Sequence, residues 1–276
     1  MERTPSPEID VNQVRRTLVD FLQTEITRAG FQRGVLGLSG GLDSALACFL
    51  AAEALGPENV LAVRMPYRTS SPESMKHAAL VIRQTGVQSA TVPITPMADP
   101  FLASIPESQT VRRGNVLARL RMIVLYDRSA EFKGLVVGTG NKTEILLGYT
   151  TLFGDSACAL NPIGDLYKTQ VRQLARAMGV PEVILAKPPS AELWPGQTDE
   201  GELGFTYARV DQLLMLLVDG GRAPEACVEA GFDRTFVQAV LDRMRRSEFK
   251  RLPPSIGKLT PHTAKSDAET PKARRQ

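Results

Sequence analysis

Cysteine, histidine and tryptophan are scarce in this chain of 276 residues, with three, two and one respectively. Cys48, Cys158 and Cys227 stand far apart with no C-x-x-C pair, and His77 and His262 alone cannot complete a zinc site with them. The same scarcity excludes a disulfide-stapled miniprotein and suits a reducing cytoplasmic setting. Long hydrophobic runs are lacking too: none approaches the ~18 residues of a membrane span, and Leu213 to Val218 stops at Asp219. Met1 to Val11 is polar and proline-bearing, unlike a secretory signal. Nor does charge of one sign dominate. With 33 basic and 30 acidic residues the net charge is +3, too balanced to imply a nucleic-acid partner.

What is there is ordinary globular material, 43% apolar and 23% charged, enough for a full core. Apolar residues at Val11, Val14, Leu18, Phe21, Leu22 and Ile26 predict a helix over Val11 to Arg28, ended by Gly30. Buried strands are expected at Val35 to Leu38, Val60 to Met65 and Gly134 to Gly138, and a short strand at Thr91 to Ile94. Helices are expected at Ala45 to Leu55, Pro72 to Gln84, Asn115 to Phe132 and Val171 to Met178. The alternation predicts an α/β fold, a parallel sheet with helices on both faces. From Phe205 onward the pattern is helical only. A single domain is expected, with a core of about 11–259 and flexible tails at 1–10 and 260–276.

Chemistry concentrates after the first strand, in Ser39-Gly40-Gly41-Leu42-Asp43-Ser44. Such sheets bind ligands at the carboxyl ends of their strands. Gly40 and Gly41 permit close backbone approach to a phosphate, helix amides point at it, and Ser39 and Ser44 add donors. Asp43 beside a polyanion calls for a cation, and magnesium fits. The other, less favoured reading of the loop alone is a glycine turn with an Asp cap. It is not a Walker A loop, and Gly138 to Thr143 is not a dinucleotide fingerprint because its last position is threonine.

A strand followed by S-G-G-L-D-S resembles the pyrophosphate-loop ATPases, with their Rossmann-like fold. Within them the chain resembles ammonia-dependent NAD synthetases. The supporting blocks are Arg64 to Ser70, Arg113 to Met122, Val137 to Glu144, Gly154-Asp155 and Pro189 to Trp194, in a match running from about Val35 to Pro253. The resemblance implies that the nicotinate carboxylate of deamido-NAD attacks the α-phosphorus of ATP, that pyrophosphate leaves, and that ammonia displaces AMP from the acyl adenylate.

It also implies roles. Asp43 and Glu144 would hold magnesium, although Glu144 on its own is also a helix cap. Lys168 would contact ATP phosphates, where it is otherwise a solvated helix-end charge. Thr139 and Ser190 would place hydroxyls near the nucleotide, and Arg64 would lie beside the adenine. Arg119, with Asn115 one turn earlier, would bind deamido-NAD. Asp155 would take a proton as ammonia attacks.

Three positions depart from the family pattern: Leu152, Ala159 and Phe249 stand where polar residues touching deamido-NAD are usual. Asn161, Lys250 and Arg251 are the neighbouring groups available instead. No amidase domain fits beside this fold in 276 residues, so ammonia is expected from solution or a partner. Cys48 is expected to be a packing residue. The resemblance further implies a homodimer, with the helix at Asn115 to Phe132 as its interface. Two other readings keep the loop but change the outcome: a transfer-RNA acceptor, supported by basic residues at Arg245-Arg246, Lys250-Arg251 and Lys272 to Arg275, or a non-catalytic nucleotide-binding regulator.

Overall fold

A computed structural model describes residues 8–190, 194, 196–257 and 259. The expected tail at 260–276, most of that at 1–10, and residues 191–193 of one supporting block lie outside the described residues. Four parallel strands, β1 (Gly34–Gly37), β2 (Val60–Arg64), β3 (Gln88–Thr91) and β4 (Leu135–Val136), form one sheet in the order β3-β2-β1-β4. Successive residues of a strand face opposite sides. Leu36 and Ala62 therefore enter one core and Val35 and Val63 the other.

The first core is closed by α1 (Val11–Arg28), α2 (Leu42–Leu55), α3 (Pro72–Thr85) and α7 (Lys168–Ala177). The second is closed by α4 (Thr95–Leu102) and α5 (Thr110–Phe132). Helices thus cover both faces, as the alternating pattern predicts. Local chemistry sets the boundaries. Asp10 caps α1 by accepting from the amides of Asn12 and Gln13, Ser71 caps α3 ahead of Pro72, and Gly86, at φ 72°, ends α3.

A third apolar cluster gathers α6 (Lys142–Leu147) with the helical C-terminal part: α9 (Asp199–Leu203), α10 (Tyr207–Leu214), α11 (Pro224–Glu229) and α12 (Arg234–Arg246). The short α8 (Glu182–Leu185) precedes them, and a π-helical turn at Met215–Asp219 follows α10. Among the described residues no helix is long and apolar enough to cross a membrane.

Several boundaries differ from the sequence reading. The third strand is Gln88–Thr91, not Thr91 to Ile94, because an edge strand pairs through its backbone and leaves polar side chains exposed. Ile94 is instead buried at the start of α4, a helix hidden in the sequence by Pro96 and Pro100. The long α5 begins at Thr110, ahead of Gly114, and α7 begins at Lys168 rather than Val171. The strand expected at Gly134 to Gly138 is reduced to Leu135–Val136, with one further bridge from Val137 to Leu160.

Candidate active site

β1 runs at its carboxyl end into Leu38 to Gly41, and α2 starts at Leu42. The loop braces itself. The Ser44 hydroxyl donates to the Gly41 carbonyl (3.0 Å) and lies 3.0 Å from the Ser39 hydroxyl, which accepts from the Gly41 amide (3.2 Å). Gly40 sits at φ 83°, and a Cβ there would fall 2.1 Å from the Ser74 carbonyl oxygen, so glycine is required twice over. The first intrahelical bond of α2 is from Ala45 to Gly41, and no described side chain caps the earlier amides of Leu42, Asp43 and Ser44. Those amides suit an anion.

A cavity of about 760 Å³ opens over this loop, the size of a small-molecule site. Ser39, Gly41, Leu42, Asp43, Ser44, Thr139, Glu144 and Lys168 line it. So do Asn115 and Arg121 from α5, Thr151, Asp155 and Lys250, and, from the segment after α8, Ser190, Trp194, Gln197 and Asp199.

At its heart is a buried ion cluster. Lys168, 5% exposed, donates through Nζ to Asp43 Oδ2 and to Glu144 Oε1 (3.4 Å). Asn141 Nδ2 donates to the other Asp43 oxygen (3.0 Å). Glu144 serves two masters: Oε2 accepts from the Asn141 amide (3.2 Å) in a capping box, while Oε1 faces Lys168. Its cap and site readings are therefore compatible. Burial pushes the Glu144 carboxyl up, and the Lys168 ammonium beside it pulls the other way. Burial alone would lower the Lys168 ammonium, but Asp43 and Glu144 outweigh it and hold the group charged.

A second group is organised by Thr151. Its amide donates to Asp155 Oδ1 (2.7 Å) and its hydroxyl to Asn115 Oδ1 (2.8 Å). Surrounding protein pushes the Asp155 carboxyl above its usual range, opposed by Thr151 and by Lys250. The side chain itself stays exposed to solvent at the cavity wall. Lys250 donates to the carbonyls of Gly148 and Thr150 (both 2.7 Å), and burial lowers its ammonium. The segment after α8 is fastened by Tyr149 and Tyr207, whose hydroxyls donate to the two oxygens of Asp199 (3.2 and 3.1 Å), while Ser190 Oγ donates to the Gln197 carbonyl (2.7 Å).

Some expected site residues stand elsewhere. Gly40 closes on α3 and does not line the cavity. Arg64 lines a separate hollow with Lys76, Leu80, Arg83 and Ser89, because the alternation along β2 turns it to the α3 side. Arg119 is exposed outside the cavity and donates to the Leu152 carbonyl (3.1 Å). Leu152, Ala159 and Phe249 also lie outside the cavity lining. Of the three suggested substitutes, Lys250 lines the cavity; Asn161 donates to the Gly140 carbonyl (2.8 Å) and Arg251 to that of Leu146 (2.9 Å). Cys48 is buried, and burial pushes its thiol up to about 12, as suits a packing residue. The structure adds Arg121, Asn141, Tyr149 and Asp199 to the site residues expected from sequence. Only Asn141 carried a local signal, the N-x-x-E spacing of a capping box.

A family model described as NAD synthase matches residues 14–254. The chain is 56% identical over 259 residues to the NH(3)-dependent NAD(+) synthetase of Trichlorobacter lovleyi, covering 94% of this chain and 95% of that protein. It is 48% identical to that of Fusobacterium nucleatum, covering 91% and 98%. Among solved structures, it is similar to an NMN synthetase from Francisella tularensis (TM-score 0.80, 33% identity, 91% and 99% of the two chains). It is also similar to an NH3-dependent NAD synthetase from Campylobacter jejuni (TM-score 0.77, 33% identity, 91% and 100%).

Proposed function

The chain belongs to the NAD synthase family, and from that premise we propose how its cavity carries out the family's reaction, the ATP-dependent amidation of deamido-NAD with ammonia to give NAD. The enzyme is a ligase forming a carbon–nitrogen bond. The observation that carries the proposal is the buried Lys168 cluster beside the glycine loop.

A free carboxylate is a poor electrophile, and adenylation cures this. A nicotinate oxygen attacks the α-phosphorus of ATP, and the bond from that phosphorus to the pyrophosphate oxygen breaks. Charge then grows on the departing pyrophosphate, where preorganised donors are worth most. The amides of Leu42, Asp43 and Ser44, the hydroxyls of Ser39 and Ser44, and the Lys168 ammonium supply them. Thr139 and Ser190 place further hydroxyls along the nucleotide.

Two carboxylates, Asp43 and Glu144, already converge on one cationic atom, the Lys168 ammonium. Hard oxygen donors in that arrangement fit magnesium, which typically takes one or two carboxylates together with phosphates. When bound with ATP the metal neutralises triphosphate charge. In the second step ammonia attacks the carbonyl carbon, the bond to AMP breaks, and Asp155 accepts the proton that the new amide sheds.

Arg119 lies outside the cavity of its own chain, on a face of α5 shared with Ile123 and Tyr126, both exposed apolar residues. That stripe supports a homodimer in which α5 is the interface and Arg119, with Asn115, serves the dinucleotide. Reduced Cys48, Cys158 and Cys227 support a cytoplasmic setting. Among the described residues, Lys250 is taken up by two backbone carbonyls and Arg251 by two more, those of Leu146 and Met244, which speaks against this pair serving an RNA acceptor.

The test supplies the pure protein with ATP, magnesium, deamido-NAD and ammonium. The expected outcome is NAD, AMP and pyrophosphate in equal amounts, and no turnover when glutamine replaces ammonium. Faster amidation of nicotinate mononucleotide than of deamido-NAD would reassign the acceptor, and equal turnover with glutamine would sink the nitrogen assignment.

A further inference from the structure

Behind the ion cluster lies a carboxylate that the reaction does not touch. Asp211 of α10 is fully buried and lines no part of the cavity. Its Oδ1 accepts from the Thr143 hydroxyl of α6 (2.6 Å). Its Oδ2 accepts from both the amide (2.9 Å) and the hydroxyl (2.8 Å) of Thr169 on α7. The Thr143 hydroxyl in turn accepts from the Lys168 amide (3.0 Å).

Burying a carboxylate is costly, and an apolar side chain would fill the same space at less cost. What a carboxylate adds is direction. Its partners are the chain neighbours of the two residues that matter most, Thr143 beside Glu144 and Thr169 beside Lys168. Fixing one helix to the other through both oxygens sets where the Glu144 carboxylate and the Lys168 ammonium meet Asp43. Catalytic groups held by a supporting network of this kind keep their geometry to a fraction of an ångström.

We propose that Asp211 is a positioning residue for adenylyl transfer: through Thr143 and Thr169 it locks α6 against α7, so that Glu144 and Lys168 present themselves together to the nucleotide phosphates. This rests on the phosphate-facing role of Lys168 given above. The prediction is specific to the ATP half of the site, because Asn115, Thr151 and Asp155 hang on a separate set of hydrogen bonds.

The experiment compares Asp211→Asn, Thr143→Val and Thr143→Ser with the unaltered full chain. It measures melting temperature, calorimetric binding of a non-hydrolysable ATP analogue, and the kinetic constants for both substrates. Asparagine keeps the shape but offers one acceptor oxygen where two are used, and valine deletes the hydroxyl that links Asp211 to the Lys168 amide. Asp211→Asn and Thr143→Val are expected to weaken analogue binding and lower kcat/KM for ATP by about tenfold or more, leaving KM for deamido-NAD within about twofold. Thr143→Ser restores the wild-type values. Lys168→Met is severe alone, and Asp211→Asn is expected to add less than about threefold on top of it, since no ammonium is left to position. Folded variants with unchanged ATP constants, or penalties that multiply fully with Lys168→Met, would overturn the proposal. Should Asp211→Asn fail to fold, the valine and serine pair decides. A wild type that binds the analogue yet makes no NAD would refute the acceptor reading alone, and the binding arm would still judge Asp211. A wild type that binds no adenine nucleotide would overturn both.

Discussion

Lys168 opens α7 with a positive charge at the end where a helix already carries its own partial positive charge. An isolated chain would disfavour that placement, and desolvation adds to the cost. Asp43 and Glu144 reverse the balance, so the three groups are stable only as a set, and deleting one member of such a buried set costs about 3–5 kcal/mol. Desolvation acts on Asp155 as well. Its carboxyl is raised above the ordinary range, so it collects a proton at a pH where a free carboxylate would already be ionised. As the pH falls through that raised value the base is lost. The amidation rate, plotted per molecule of free ammonia, is expected to show an acidic limb set above the usual carboxylate range. Asp155→Asn should abolish the limb and slow the rate by about a hundredfold or more. A limb that survives in Asp155→Asn would remove this residue from the proton transfer. The loop Ser39 to Ser44, with Asp43, is legible in the sequence because its residues are consecutive. Arg64 and Arg119 are not, because strand alternation and helix facing decide which side a long side chain takes.

At the scale of elements, α5 has the most to explain. Its inner face packs Leu117 and Val124 against the sheet, while Val111, Ile123 and Tyr126 stay exposed, an outlay of apolar surface that a partner subunit would recover. Ile123→Glu is expected to convert a dimer to a monomer by light scattering at micromolar concentration and to raise KM for deamido-NAD more than KM for ATP. A wild-type chain that scatters as a monomer would contradict it. The helix is legible from its apolar spacing, but its first turn is not, since Gly114 interrupts the signal. β3 and α4 are the opposite case. The strand is polar because it lies at an edge and the helix carries two prolines, so neither offers a periodicity to read.

For the whole molecule, the alternation of short apolar strands with helices yields the parallel sheet, and the carboxyl end of β1 yields the site. What local sequence does not carry is the long-range assembly. Asp43, Glu144, Lys168 and Asp211 come from four helices, spread over most of the chain, and are brought together only by the tertiary packing of α2, α6, α7 and α10. This assembly is proposed to join the nicotinate carboxylate to the α-phosphorus of ATP before nitrogen arrives. Deamido-NAD labelled with oxygen-18 in both carboxylate oxygens tests it most directly. AMP is expected to gain a single labelled oxygen, the NAD amide to keep the other, and pyrophosphate to gain none. Label in pyrophosphate, or NAD formed with no label in AMP, would contradict it.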